Sequence, residues 1–250
     1  MKNSTDQKRE TVVRIENLSK SFQDNPVLRN VNLNIQKGEN AVIIGQSGIG
    51  KSVLIKCMVR LIAPDSGKIE IFGKDVPRLN GEELNAVRKR IGFLFQGNAL
   101  YDSMTVRENL EFPLVRNKLV SSKQDLEAKV FEALDNVGLR ETVDLLPSEL
   151  SGGMQKRIGL ARTLILRPEI ILYDEPTTGL DPITSKEISN LIIKLQKKYH
   201  TTAIIITHDI SCVKLTANII HVLKDGVLYA SGKYNELKSS EDPWIYNFFN

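Results

Sequence analysis

The sequence contains few cysteines and no long apolar run. Cys57 and Cys212 are its two cysteines, and neither lies in a CxxC pair or beside a histidine at metal-ligand spacing. We therefore expect both thiols to pack in the interior and no metal or redox site to be built on them. The longest apolar runs, AIIIT and EIILY, have the length of strands and fall far below the ~20 residues that cross a bilayer. The polar opening MKNSTDQKRE adds no apolar segment, so a role at a membrane would need a partner that spans it.

A large excess of one charge is also missing. The 34 lysines and arginines stand against 30 aspartates and glutamates, which gives a formal charge of +4. Nucleic-acid-binding domains concentrate basic residues far more strongly, so this balance is typical of a solvated surface, and we expect no nucleic acid partner. The 250 residues suffice for one substantial core, and we expect a single compound domain.

Two kinds of strand pattern occur near the start of the chain. The tracts TVVRIENLSKSF and NVNLNIQKGEN alternate apolar with polar residues, and the second places Val31, Leu33 and Ile35 on one face. This alternation predicts an antiparallel sheet with one wet face. The run AVIIG, residues 41–45, is apolar throughout, as in a strand that is buried on both faces. The helical pattern SVLIKCMVRLI and the strand KIEIFG follow it, which completes one unit of an open α/β sheet.

The pattern then changes to helices. TVRENLEFPLV opens with Thr105 and Glu108 at capping-box spacing, and QDLEAKVFEALDNVGL stops at Gly138. The α/β pattern resumes with EIILYDEP and TAIIITHD and ends in a hairpin that turns at Asp225-Gly226.

These patterns predict how the single domain, 1–250, is divided. We expect an α/β core with an antiparallel β subdomain at 11–96 and 163–238, and a helical subdomain at 97–162. The aromatic tail, 239–250, either folds back on the domain or contacts a second copy or a membrane subunit.

The stretch GQSGIGKS matches the phosphate-binding pattern G-x-x-x-x-G-K-[ST] and lies between a buried strand and a helix. Small residues let the backbone N–H groups of such a loop converge on phosphate oxygens, and the helix that follows adds the positive end of its dipole. We expect Lys51 to reach the β- and γ-phosphates of a nucleotide and the Ser52 hydroxyl to bind Mg²⁺. The predicted nucleotide-binding loop comprises Gly45, Gln46, Ser47, Gly48, Ile49, Gly50, Lys51, Ser52 and Val53.

Two adjacent carboxylates, Asp174 and Glu175, follow the apolar run of EIILYDEP. They should emerge at the carboxyl edge of the sheet, where open α/β sheets bind ligands. Carboxylates at the end of a buried strand are costly unless a cation or a water needs them. We assign Asp174 to Mg²⁺, directly or through water, and Glu175 to polarising the attacking water as general base. A pair that caps a helix before Pro176 is the structural alternative.

Two further polar residues follow buried strands in the same way. His208 comes after TAIIIT, and Gln96 ends IGFLFQ. At this edge the imidazole of His208 can bond the γ-phosphate and orient the water, and Gln96 can reach the Mg²⁺ shell. Taken alone, Gln96 is more often a polar strand end than a ligand. His200 and His221 are interpreted as packing or surface residues.

A second glycine-rich stretch, LSGGMQKR, occupies residues 150–157. Ser151 can cap a helix that begins near Gly152, and the N–H groups of Gly152 and Gly153 with the helix dipole form a second anion-binding end. An ordinary helix start with flexible glycines is the structural alternative.

Several motifs together resemble one family. GQSGIGKS, Gln96, LSGG, IILYDEP, TTGLDP and His208 stand in the order and approximate spacing of an ATP-binding cassette (ABC) transporter ATPase, and the likeness covers nearly the whole chain. It implies an α/β P-loop NTPase fold with a RecA-like core, an antiparallel β subdomain and an inserted helical subdomain. It also implies ATP and Mg²⁺ as cofactors. The implied partners are integral membrane permease subunits, which would hold the chain on the cytoplasmic face of the cell membrane.

The resemblance also implies what the second glycine-rich loop does. In this family two ATPase domains pair head to tail as a dimer, here a homodimer, and each nucleotide lies between the phosphate loop of one copy and the LSGG loop of the other. Ser151, Gly152, Gly153 and Met154 are therefore expected to face the ATP of the partner copy. Asp181, in TTGLDP, resembles the residue that bridges the two copies.

The sequence departs from the family pattern at two positions. The residue after LSGG is most often glutamine, but here it is Met154, with Gln155 next to it. A thioether cannot replace the hydrogen bonds of an amide, so any polar contact there is weakened or indirect. The adenine-stacking position is usually tyrosine, and Phe22 keeps the ring face without the hydroxyl. Phe22 is otherwise interpretable as a core residue.

LSGGMQKR together with GNALYDSMTVRENLEFPL resembles, more narrowly, the ATPases of MCE-associated (Mla-like) phospholipid transport systems. This resemblance implies a lipid cargo and an MCE-type lipid-binding protein as a further partner. Leu100, Tyr101 and Met104 would offer an apolar face to the coupling helix of the membrane subunit, or else pack internally.

Other functions remain open at this point. An importer ATPase for amino acids, metals or another small solute would use the same chemistry. An ATPase of DNA repair or chromosome structure would carry a long coiled-coil insertion before LSGG, and a ribosome-acting factor would need two cassettes in tandem. A non-catalytic binding module is disfavoured because Lys51, Asp174, Glu175 and His208 are all present.

Overall fold

Two β-sheets form the framework of this computed structural model, which describes residues 10–97 and 99–250. The polar opening of the chain, residues 1–9, lies outside the described residues. The strands are β1 (Thr11–Phe22), β2 (Asn25–Gln36), β3 (Asn40–Ile44), β4 (Ser66–Ile71), β5 (Lys74–Asp75), β6 (Ile91–Leu94), β7 (Ile170–Asp174), β8 (Thr202–Ile206), β9 (Ile219–Lys224) and β10 (Val227–Gly232).

The smaller sheet is antiparallel, with strand order β2-β1-β4-β5. Ile15 of β1 pairs with Leu33 of β2 on one side and with Ile69 of β4 on the other, and all three side chains are buried. Because side chains alternate along a strand, this register turns one apolar face inward and leaves the other to solvent. The predicted sheet with one wet face is confirmed.

The larger sheet has the order β10-β9-β3-β8-β7-β6. β6, β7, β8, β3 and β9 run parallel to one another, and β10 joins antiparallel to β9 through the predicted turn at Asp225 and Gly226. Every residue of β3, β7 and β8 is buried, as expected of strands covered on both faces. Their carboxyl ends share one edge, which lies beside the loops that follow Ile44, Asp174 and Ile206.

Helices cover this sheet and fill the segment between β6 and β7. The α-helices are α1 (Lys51–Met58), α2 (Gly81–Lys89), α3 (Val106–Arg116), α4 (Lys123–Val137), α5 (Gly152–Leu164), α6 (Pro182–Tyr199), α7 (Ile210–Thr216), α8 (Tyr234–Lys238) and α9 (Pro243–Phe249). None of the helices in the described ranges is both long and apolar enough to cross a bilayer.

The predicted helix ends in the middle segment are confirmed. The Thr105 side chain accepts a hydrogen bond from the N–H of Glu108 and the Glu108 carboxylate bonds the N–H of Thr105, which completes a capping box at the start of α3. Gly138 ends α4 in the left-handed conformation, with φ 69°. α5 continues to Leu164, past the predicted subdomain boundary at residue 162. The division into subdomains stays a prediction.

The aromatic tail folds back on the domain. Asp242 caps α9, and Ile245 and Phe249 are buried in the core that the larger sheet shares with α3–α6. The Trp244 ring packs edge-on against Tyr229 of β10, with 6.0 Å between ring centroids. Of the alternatives left open by the sequence, an internal contact is therefore the one observed.

The cysteines and His221 are packing residues, as predicted. Cys57 and Cys212 are free and buried, and burial raises the pKa of both thiols to about 11. His221 is 7% exposed, and its Nδ1 lies 2.7 Å from Oγ of Ser231. Its Nε2 has no hydrogen-bond partner among the residues that the structure describes. Burial lowers the pKa of His221 to about 4.

His221 is expected to make stability depend on pH below neutrality. Its folded pKa of about 4 lies below the ordinary value of about 6.5, so the unfolded chain binds more protons between these values and stability falls as pH falls. We expect His221 to account for a loss of about 2 kcal/mol in unfolding free energy between about pH 7.5 and about pH 5. Urea unfolding at both pH values measures it. His221→Gln should remove most of this loss, and the exposed control His200→Asn should keep it; equal pH dependence in all three proteins would contradict the assignment.

Candidate functional site

The glycine loop lies where β3 meets α1. β3 ends at Ile44, Gly50 precedes the first residue of α1 with φ 108°, and a Cβ at Gly50 would lie 2.7 Å from Cγ1 of Val27. A residue with a side chain would be strained there in both respects, so glycine is required. The loop therefore turns sharply into the helix N-terminus and leaves its backbone N–H groups near the positive end of the helix dipole.

Lys51 is buried at the start of α1. Its Nζ donates hydrogen bonds to the carbonyl oxygens of Gly45 at 2.8 Å and Gln46 at 3.0 Å, and it lies 3.8 Å from Oε1 of Glu175. Burial lowers the pKa of Lys51, and the charges of Glu175 and Asp174 oppose that shift. The ammonium is thus held inside the loop, next to both carboxylates.

Ser52 and Asp174 bring two oxygen ligands together across 122 positions of the chain. The Ser52 hydroxyl donates a hydrogen bond to Oδ1 of Asp174 at 2.8 Å. Gln96 lines the same cleft, so a hydroxyl, a carboxylate and an amide are available to a cation. These hard oxygen donors are the kind that Mg²⁺ prefers, so the residues fit the predicted ion. Within the described ranges no group of three histidines, cysteines or acidic residues is arranged to hold a metal, so water or phosphate would have to supply the remaining ligands.

Glu175 sits in an unusual backbone conformation directly after β7. Its φ is 52°, and its N–H donates to the carbonyl of Ile206 at 2.9 Å, which fixes the turn against β8. Its Oε2 lies 2.8 Å from Nδ1 of His208 and accepts a hydrogen bond from Thr178 Oγ1 at 3.2 Å. A carboxylate has about four acceptor positions, so these contacts orient Glu175 and leave it able to bond a water.

The predicted residues of the phosphate loop and of the three strand ends meet in one cleft. Its volume is about 220 Å³. It is lined by Ser47, Gly48, Gly50, Lys51, Ser52, Val53, Gln96, Glu175, Thr178 and His208. Of the remaining loop residues, Gly45 and Gln46 contact Lys51 through their carbonyls, and Ile49 packs against the core between the sheets.

Phe22 ends β1 and lies outside the lining of this cleft. Its side chain is 46% exposed, and Nζ of Lys20 lies 5.3 Å from the ring centroid. The interpretation of Phe22 as a core residue is therefore wrong. An exposed aromatic face is free to stack on a planar group, and its role in binding adenine stays a prediction.

The LSGG loop forms a capped helix start, as predicted. Oγ of Ser151 accepts a hydrogen bond from the N–H of Met154 at 3.3 Å, and α5 begins at Gly152. A Cβ at Gly153 would lie 2.6 Å from Cγ2 of Thr184, so the loop packs tightly on the start of α6. Ser151 and Gly152 are exposed. Residues 151–154 do not line the cleft of their own chain, so any anion bound there would be a different one.

The departure from the family pattern at Met154 has a local explanation. Met154 packs half-buried against the interior. Gln155 donates from Nε2 to the carbonyl of Pro147 at 2.9 Å and thereby braces the turn before the loop. Gln155 thus makes a side-chain hydrogen bond of a kind that the thioether of Met154 cannot make.

Asp181 has a structural role within its own chain. It caps α6 by accepting hydrogen bonds from the N–H groups of Ile183 and Thr184, each at 3.0 Å. Hydrogen bonding, first from the Thr184 side chain, lowers the pKa of Asp181. A bridging role between copies stays a prediction.

Two polar residues, one in the cleft and one beside it, were not predicted from the sequence. Thr178 bonds Glu175 and lines the cleft, and Lys156 is buried with its Nζ 2.6 Å from the carbonyl oxygen of Gln96. Thr178 could have been predicted, because its hydroxyl lies three residues after Glu175 in the tract DEPTTG. Lys156 carried no signal, because a lysine on a helix pattern is normally exposed.

Comparison with known proteins agrees with this geometry. The chain matches the ABC transporter family over residues 28–178. It is 36% identical over 239 residues to the intermembrane phospholipid transport system ATP-binding protein MlaF of Haemophilus influenzae, covering 96% of this chain and 90% of that protein. It is 37% identical over 226 residues to the methionine import ATP-binding protein MetN of Clostridium acetobutylicum, covering 90% of this chain and 70% of that protein.

A solved structure is similar over most of the chain. The dimeric ATP-binding cassette MJ0796, in a post-hydrolysis state bound to ADP and Pi, superposes with a TM-score of 0.81 at 34% identity, covering 88% of this chain and 98% of that one. The fold is therefore the P-loop fold of ABC ATPases. The chain belongs to the ABC transporter family and is one of its ATP-hydrolysing subunits.

Proposed function

We propose that this ATPase drives the transport of phospholipid through a membrane permease, in an Mla-like system. The observation that carries the proposal is the likeness to MlaF, which runs through 96% of this chain and 90% of that protein. The motif tracts LSGGMQKR and GNALYDSMTVRENLEFPL support the same assignment. Methionine import is the second candidate, because MetN is 37% identical over 226 residues.

The residues of the cleft receive the following roles. Backbone N–H groups of residues 45–52 and the ammonium of Lys51 bind the phosphates of ATP. Ser52 and Asp174, with Gln96, hold Mg²⁺, which when bound neutralises charge on the phosphate oxygens. Glu175 takes a proton from the attacking water, and His208 fixes the carboxylate of Glu175 through the 2.8 Å contact with its Oε2. Thr178 donates a hydrogen bond to the same oxygen, Oε2, and helps to orient the carboxylate.

The chain is proposed to act as a head-to-tail homodimer. The phosphate loop and the LSGG loop each present the N-terminus of a helix, yet they belong to separate surfaces of one chain. Two copies would bring the start of α5 in one to the cleft of the other, and the similar cassette MJ0796 is dimeric. ADP lacks the γ-phosphate that the second helix start would bind, so hydrolysis would release the pair.

Ser151→Arg tests the shared site. Ser151 is exposed and lies outside the cleft of its own chain, so the variant should bind ATP with unchanged affinity. Turnover should fall at least about tenfold, because a bulky cation would block the approach of the partner's phosphates and the cap is lost. Equilibrium nucleotide binding and steady-state ATPase assays measure the two effects.

Ser122→Arg is the matched control for that variant, because Ser122 caps α4 in the same way but away from the predicted interface. Its ATPase rate should stay near that of the wild type. Loss of ATP binding in Ser151→Arg would mean that the loop serves its own cleft, and the head-to-tail proposal would be wrong.

The permease is proposed to contact the loop and helix that follow Gln96. Tyr101 is 41% exposed, and Met104 borders a groove on α3 with Phe112 and Val115. Leu100 instead packs against the interior core, so it contributes less to this face than the sequence suggested. The permease would hold the ATPase at the cytoplasmic face of the cell membrane, and an MCE-type protein would complete the lipid pathway.

Gentle extraction of the intact membrane complex tests the cargo. We expect the purified complex to contain the permease and co-eluting phospholipid, and its ATPase rate in nanodiscs to rise with added phospholipid and not with L-methionine. The Glu175→Gln complex is the control for ATP turnover by contaminants. Recovery of a permease that carries a soluble solute, with no bound lipid, would overturn the lipid assignment in favour of the importer.

A further inference from the structure

Lys156 is a buried ammonium with an unusual partner. Lys156 is 3% exposed, and its Nζ donates a hydrogen bond to the backbone carbonyl of Gln96 at 2.6 Å. Among the residues that the structure describes, no carboxylate lies within 4.0 Å of this nitrogen. Burying an ammonium is unfavourable unless neighbouring groups compensate for the lost hydration, so the burial of Lys156 needs a physical explanation.

The negative charges of Asp174 and Glu175, at the carboxyl edge of the larger sheet, partly offset the cost of burying this ammonium. Burial lowers the pKa of Lys156, while the charges of Asp174 and Glu175 oppose the shift. The ammonium therefore lies within electrostatic reach of both carboxylates and is drawn toward the strand ends. Its hydrogen bond to Gln96 connects it to a residue that lines the cleft.

A second cation of the same helix holds the same loop. Nη1 of Arg162 donates to the carbonyl of Ala99 at 2.9 Å, and its guanidinium lies 4.7 Å from the ring centroid of Tyr101. α5 is thus hydrogen-bonded to the loop after β6 at two carbonyl oxygens, those of Gln96 and Ala99. Hydrogen bonds from charged donors are stronger than those between neutral groups, so these are firm attachments.

The helix that makes these attachments also carries the LSGG loop. Lys156 is one turn along α5 from Gly152, and Gly153 is wedged against Thr184 at the start of α6. An α-helix is stiff over such a distance, so a shift of the loop at Gln96 must move the start of α5 or break the bond to Lys156.

We propose that Lys156 is a positioning residue that ties Gln96 of one nucleotide cleft to the glycine-rich start of α5, which faces the partner's nucleotide. A displacement of Gln96 then moves the LSGG loop relative to the partner's ATP. In the opposite direction, closure of the LSGG loop over the partner's ATP fixes the position of Gln96 in its own cleft. This inference rests on the proposed roles of Gln96 and of the LSGG loop.

Lys156→Met tests the attachment, because methionine fills a similar volume without a donor. Amide hydrogen exchange in peptides covering 96–104 and 151–158 should rise at least about threefold, since the loop loses a hydrogen bond from a charged donor. We expect kcat for ATP hydrolysis to fall by about tenfold or more. The Kd for ATP at the phosphate loop should change by less than about threefold, because Lys51 and its loop are untouched.

Arg157→Met is the matched control. Arg157 is the adjacent cation on α5, but it bonds Glu187 of α6 and the carbonyl of Val137. Its removal should leave exchange in 96–104 and kcat within about twofold of the wild type, as expected for a partly exposed ion pair. Lys156→Arg, which keeps a charged donor, should restore most of kcat.

Arg162→Gln provides a second variant if Lys156→Met does not fold. It should also loosen 96–104, and the two substitutions combined should cost less than the sum of their separate effects on kcat, because both act through one loop. Unchanged exchange in 96–104 in both variants, or a loss of ATP affinity equal to the loss of kcat in Lys156→Met, would overturn the proposal. Gln96→Ala separates the premises: full activity there would refute the role of Gln96, while the exchange result on Lys156 would stand.

Discussion

Replacing Glu175 with glutamine is expected to slow ATP hydrolysis by about 10²–10⁴-fold while ATP still binds. Glutamine keeps the shape of the side chain and an oxygen that accepts the bond from Thr178, but an amide cannot take a proton from water. The phosphate loop and Lys51 are unchanged, so the bound nucleotide keeps its γ-phosphate. The closed dimer should therefore accumulate, and single-turnover hydrolysis together with size-exclusion chromatography in ATP measures both effects.

Glu169→Gln is the matched control for this substitution. Glu169 lies just before the other end of β7 and pairs with Arg90, where both side chains are partly exposed. Its neutralisation should leave turnover within about twofold of the wild type, because an exposed ion pair contributes little. Hydrolysis at the normal rate in Glu175→Gln would exclude Glu175 as the general base.

The second large effect is expected from Lys51→Ala. We expect the affinity for ATP to fall by about tenfold or more and turnover by about 10²–10³-fold, because a charged donor that is already in place is lost from the phosphate site. The variant also removes the two bonds to the carbonyls of Gly45 and Gln46, so the loop itself should loosen. Fluorescent-nucleotide binding and steady-state ATPase assays separate affinity from rate.

Lys56→Ala controls for the loss of a lysine from α1. Lys56 lies in the last turn of the same helix and takes no part in the cleft. It should bind and hydrolyse ATP as the wild type does, apart from a small effect on helix stability. If Lys51→Ala kept wild-type affinity and rate, GQSGIGKS would not be the phosphate loop.

Features that depend on neighbouring residues could be predicted from the sequence. The capping box of Thr105 and Glu108, the stop at Gly138 and the turn at Asp225-Gly226 each involve residues within a few positions of one another. The buried strands were readable for a related reason, since a strand covered on both faces must be apolar at every position. The glycine loop was readable because its strained backbone excludes other residues.

Features that depend on distant segments could not be predicted from pattern alone. Ser52 and Asp174 were each predicted as Mg²⁺ ligands, but the hydrogen bond between them spans 122 positions and depends on how the strands are ordered. The Lys156–Gln96 bond spans 60 positions, and no local signal marks it. The sequence left Phe22 either as an adenine-stacking residue or as a core residue, and only the structure showed that its side chain at the end of β1 is exposed. For the aromatic tail the sequence allowed folding back on the domain, contact with a second copy or contact with a membrane subunit. The burial of Ile245 and Phe249 in the core shows that it folds back.

By itself, the sequence determined that this chain carries a strand–loop–helix unit with the phosphate-binding pattern and a second glycine-rich helix start, because backbone geometry and charge restrict which residues fit such loops. Only the tertiary structure decided that Glu175 is held by His208 and Thr178, and that α5 grips the loop of Gln96 through Lys156. Those contacts arise from the order of strands in the sheet and from burial, and burial is a property of the whole fold.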